Sequence, residues 1–176
     1  MNESLPPYAY VPGRFPHPVR DPAGHSYGQV AKRVAPLDPN CWEQCDEFCR
    51  GLRLFDAGYY WEAHEAWEAL WLAAGRRGSS ATALKGLIKL AAAGVKAREA
   101  NADGVRRHAR RAAELLQAAL AERQYEELPH RWAGLDLAKL ARACAEIAAH
   151  SASHCDAEPV AVKAILPVRL RTAHFL

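Results

Sequence analysis

The sequence predicts an all-α protein: an antiparallel helical bundle of about five helices, with a Pro-rich N-terminal arm and an extended C-terminal tail. Three observations predict it. Apolar residues recur at i, i+3, i+4 and i+7 through most of residues 39–150. Short breaks such as GRRGSS and NADG divide the periodic stretches, and short connections favour antiparallel neighbours. Eight of the eleven prolines fall within residues 1–39, which keeps long helices out of that segment. The expected organisation is an arm at 1–38, a bundle at 39–150 and a tail at 151–176.

The arm carries Tyr8, Tyr10, Phe15 and Tyr27 among its prolines and glycines. A free tail would be poorer in aromatics, so this segment is expected to lie on the bundle and to bring His17 or His25 near its surface. Helix one follows, in DPNCWEQCDEFCRGLRLFDAG. Asp38 or Asn40 would cap it and Gly58 would end it. Trp42, Cys45, Phe48, Cys49, Leu52 and Phe55 form its apolar stripe. Helix two is expected over 59–74. Helix three is expected over 81–100, with Leu84, Leu87, Ile88, Ala91 and Val95 inward. Asn101 or Asp103 would cap helix four, over 103–123. YEELPHRWAGLD reads as a loop. Helix five is expected over 135–150 through Leu137, Leu140, Cys144 and Ile147. The last stretch, VAVKAILPVRLRTAHFL, reads as extended.

The chain has 176 residues, enough for one domain with a sizeable core. It carries 23 basic and 20 acidic residues, and a net charge of +3 is too mild to argue for nucleic acid or an anionic membrane. No apolar run approaches the ~20 residues that span a bilayer. The N-terminus lacks a basic-then-apolar signal pattern, so the expected location is cytoplasmic. Five cysteines, an odd number, argue against a complete disulfide set. Cys41, Cys45 and Cys49 would make one buried stripe on helix one.

One stretch stands out: YYWEAHEAWEALW, residues 59–71. On a helical wheel Trp61, Trp67, Trp71, Tyr60 and Glu68 all fall within about 60° of His64. Glu65 lies at the edge of that face, and Glu62 points away, toward solvent or a capping role. On helix three, Lys85, Lys89 and Lys96 share one narrow stripe. Carboxylates among aromatics need partners. In a structural reading, Glu65 and Glu68 are buried and pair with Lys85 and Lys89, while His64 is a satisfied core histidine. In a metal reading, HEAWE sets His64 and Glu68 one turn apart as ligands of a divalent ion such as zinc. Glu65 then holds the place of the general base in HExxH. A third ligand would come from His17, His25, His108 or His130.

FDAGYYWEAHEAWEALW followed by LKGLIKLAAAGVKAREANADGVRRHARRAAELL resembles the small helical prokaryotic family catalogued as domain of unknown function family 309. The likeness covers roughly residues 42–120 and rests on a Gly-aromatic-x-x-E-A-H-E-x-x-E-x-x-W helix followed by a GLI helix. It implies an all-α bundle, and it carries the label of predicted metal-dependent hydrolase. Its motif positions here are Glu62, His64, Glu65, Glu68 and Trp71, with Trp61 beside them. The family often has glutamines where this chain has Lys85 and Lys89. Cations there would compete with a metal for the carboxylates.

Function therefore divides between a metal-assisted hydrolase and a non-catalytic helical module for binding or oligomerisation, in which the His/Glu/Lys network is structural. A third class, binding of RNA or an acidic partner, would use Arg106, Arg107, Arg110 and Arg111 on helix four, but such a patch reads first as a solvated face. No nucleophile elbow, phosphate loop or dinucleotide fingerprint is present.

Overall fold

The computed structural model describes residues 4–30, 33–123, 131–155 and 162–170. Five α-helices form the body among them: α1 (Asp46–Ala57), α2 (Tyr60–Ala73), α3 (Gly78–Arg98), α4 (Ala102–Glu122) and α5 (Leu137–Ala149). Each packs on the next along the chain, as short connections require. No helix among the described residues is long and apolar enough to cross a membrane.

The breaks fall where backbone chemistry places them. Gly58 takes a left-handed φ of 90° and closes α1. Asn101 caps α4, its side chain accepting from the Gly104 N–H at 2.8 Å. Asp136 caps α5 through the Lys139 N–H at 2.9 Å. The expected start of α1 is corrected. Asp38 accepts from Asn40 and so holds a local turn. A 3-10 turn (Trp42–Gln44) follows, and the extended Cys45 delays the helix to Asp46. The cysteine stripe is broken by the same kink: Cys41 is exposed, and Cys45 and Cys49 are half-buried.

Trp67, Tyr60, Phe48, Phe55, Leu84, Leu87, Leu90 and Leu116 fill the core. Close approach depends on two glycines. A Cβ on Gly51 of α1 would strike the Trp67 indole, and one on Gly94 of α3 would strike the Tyr60 ring. Part of the expected loop after α4 is a hairpin, β1 (Arg131–Trp132) and β2 (Leu135–Asp136). Ala133 and Gly134 turn it with φ of 46° and 76°, the two positive values a tight hairpin needs. Trp132 is buried against Phe48, and its Nε1 donates to Ser80 Oγ at 3.0 Å.

Residues 4–30 contain no helix or strand; Ala9 and Val11 are buried. Residues 162–170 are likewise irregular and are tied to the α1–α2 corner. The Tyr60 hydroxyl accepts from the Ile165 and Leu166 N–H groups, and Asp56 accepts from Leu170.

Candidate functional site

α2 starts two residues after Gly58, so its first turn lies at the corner of the bundle, open to the N-terminal segment. The residues of YYWEAHEAWEALW divide among three surroundings. Tyr60 and Trp67 enter the core. Trp61 and Glu62 meet the N-terminal segment. His64, Glu68 and Trp71 face the side shared with α3, and Glu65 stands exposed beside them.

Glu62 corrects the helical wheel. It was expected to point to solvent, yet it is 3 % exposed. The cover comes from the N-terminal segment. Glu62 Oε1 accepts from the Tyr10 N–H at 2.9 Å and lies 3.3 Å from His25 Nε2. His25 Nδ1 in turn lies 2.9 Å from Ser26 Oγ. Trp61 packs edge-on against Tyr10 and His17. Burial pushes the Glu62 carboxyl above the usual carboxylate range, against the pull of the Tyr10 N–H and His25. Its other oxygen, Oε2, is buried with no partner among the described residues.

The donor atoms of His64, Glu65 and Glu68 lie within 4.8 Å of one another. His64 Nε2 is 3.9 Å from Glu68 Oε2. The expected burial of the two carboxylates is corrected: Glu65 is exposed, and the Glu68 side chain is 38 % exposed. The expected ion pairs are corrected too. Among the described residues, neither Lys85 nor Lys89 forms an ion pair with Glu65 or Glu68. The Lys85 ammonium instead sits 3.7 Å above the centre of the Trp71 ring, a cation–π contact that competes with a solvated carboxylate.

Burial lowers the His64 pKa below the usual histidine value, and Lys85 and Lys89 add to the effect against Glu68 and the Ile88 carbonyl. The ring is therefore neutral at pH 7, the form that ligates metals. Although the residue is exposed overall, the bundle partly desolvates the Glu65 carboxyl, and this and its neighbours Glu68 and Glu62 push it up, with Arg20 of the N-terminal segment opposing.

Among the described residues, no expected third histidine joins this group. His17 Nδ1 accepts from the Val19 and Arg20 N–H groups, and His25 is engaged by Glu62. His108, on α4, lies outside the donor cluster. His130 lies outside the described residues. Glu65, read from the sequence as a base, is the third member of the cluster, within 4.8 Å of both His64 and Glu68. A metal held at ~2.1 Å by each ligand sets its donor atoms ~3–4 Å apart, so these side chains need only close slightly. One imidazole and two carboxylates suit a borderline divalent ion. The residues fit.

A family model covers residues 48–108, which hold all of α1 after its first two residues, α2, α3 and the start of α4. The family it matches is DUF309, described as a domain of unknown function. This agrees with the resemblance carried by the motif. The DUF309 match contains His64, Glu65, Glu68, Lys85 and Lys89, and ends on His108. Tyr10 and His25, which close over Glu62, lie outside it. No curated protein and no solved structure matches the chain.

Sequence reasoning missed Tyr10 as a partner, and it cast His25 as a metal ligand rather than a contact for Glu62. The aromatic-rich composition of the arm was the signal available.

Proposed function

We propose that the exposed face of α2 is a divalent metal site of a hydrolase. His64 and Glu68 hold the ion, and Glu65 takes the proton of the attacking water. The observation that supports this is the meeting of three donor atoms within 4.8 Å on a half-open face. The neutral His64 ring is ready to ligate without first losing a proton. A divalent ion bound here would supply a Lewis acid that acidifies water at neutral pH. Glu65 is exposed, so its carboxylate can reach water and substrate while Glu68 stays against His64. All five cysteines are free, which goes with a cytoplasmic setting.

A second reading is a non-catalytic helical module for binding or oligomerisation, with the motif as a structural network. The observation in its favour is Glu62, which is spent on holding residues 4–30. The two readings part under chelation. In the metal reading, chelator lowers the melting temperature and added metal restores it in wild type but not in Glu68→Gln. Glu65→Gln should keep the metal and lose hydrolysis. In the structural reading, chelator does nothing.

A further inference from the structure

We propose that Lys89, flanked by Lys85 and His108, forms an anion subsite beside the His64–Glu65–Glu68 face that takes the phosphoryl group of a small phosphorylated substrate. The proposal rests on the metal reading for the reaction but not for the binding.

Helix register places these groups together. Lys85 over Trp71 at one end, and Gly94 against Tyr60 at the other, set α2 and α3 antiparallel. That register brings Lys89 level with the turn of α2 between His64 and Glu68. Gly86 against Leu116, and Gly104 against the Lys96 stem, do the same for α3 and α4. They place His108 between the levels of Lys89 and Lys96. Lys85 and Lys89 are one turn apart and share a face. Two helices, α3 and α4, thus bring three basic groups to one side of the layer beside α2, and all three are half-buried.

The charge of Lys89 is poorly matched by the protein. Lys96 is paired with Glu99 at 2.6 Å, and Arg106 and Arg111 are paired with Asp103 and Glu114. Lys89 has no ion pair and no hydrogen bond among the described residues, although two carboxylates stand on the adjacent turn. Lys89 and Lys96 also depress the protonation of His108, second to burial, as expected where like charges crowd. A bound anion would offset that crowding. A planar carboxylate is best met by the planar fork of arginine, and none of the three groups is one. A tetrahedral phosphate presents oxygens in several directions and suits separate point charges.

The test is calorimetric titration of the full chain with inorganic phosphate in metal-free buffer. Metal affinity is measured separately in phosphate-free buffer. Wild type should bind phosphate, and Lys89→Gln should weaken binding by about tenfold or more, the scale of one lost charge-assisted contact. Lys85→Gln should weaken it as well, which guards against a Lys89 variant that fails to fold. Arg106→Gln should bind as wild type does. Metal affinity of Lys89→Gln should equal or exceed that of wild type, because a competing cation is gone. Absence of phosphate binding, or equal affinity in Lys89→Gln and Arg106→Gln, would overturn the proposal. Phosphate binding that depends on Lys89 in a chain that takes no metal would uphold the subsite and remove the metal reading alone.

Discussion

His25 Nε2 lies 3.3 Å from Glu62 Oε1, across 37 positions of sequence. The contact fastens a segment with no helix or strand of its own to the first turn of α2. The Tyr10 N–H shares the same oxygen at 2.9 Å, so one carboxylate holds the segment at two points.

Removing that acceptor should loosen residues 4–30. Glu62→Ala leaves the Tyr10 N–H and the His25 ring without their partner, a loss of roughly 1–3 kcal/mol. Urea melts should show the loss, and amide exchange should quicken over residues 8–26 more than in α3. Unchanged exchange there would refute the fastening role.

Glu62 should also give a pH signature. Burial raises its pKa above 4.5, so the folded chain holds this proton more tightly than the unfolded chain. Its contribution is full below pH 4.5 and is lost as pH rises through the folded value. Wild type should therefore lose melting temperature relative to Glu62→Gln as pH rises from 4.5. A difference that stays constant with pH would contradict this.

At the other edge of α2, the Tyr60 hydroxyl accepts from two backbone donors, Ile165 at 2.9 Å and Leu166 at 3.0 Å. Tyr60→Phe keeps the ring against Gly94 and removes only the acceptor. It should cost roughly 1–3 kcal/mol and free residues 162–170 to exchange. A variant as stable as wild type would mean that water replaces the hydroxyl without loss.

The bundle was legible because its punctuation is local. Gly58 and Asn101 stop and start helices through their own backbone and side-chain chemistry, and those bounds fell within a few residues. The Ala133–Gly134 hairpin was not legible, since alanine rarely takes a positive φ. The clustering of His64 and Glu68 followed from helical spacing alone. Glu62 was misplaced because a wheel describes one helix, while its cover comes from an aperiodic segment. The lysine pairing failed because charge matching ignored the Trp71 face, which Lys85 occupies instead.

The central claim is that His64 and Glu68 hold one metal ion with Glu65 beside it as the base, and direct metal titration of untagged chain tests it. Wild type should bind one zinc or manganese ion per chain. His64→Ala and Glu68→Gln should each weaken binding at least tenfold, as loss of a ligand does, whereas Glu62→Gln should leave it unchanged. Absence of metal binding, or binding indifferent to His64 and Glu68, would contradict the account.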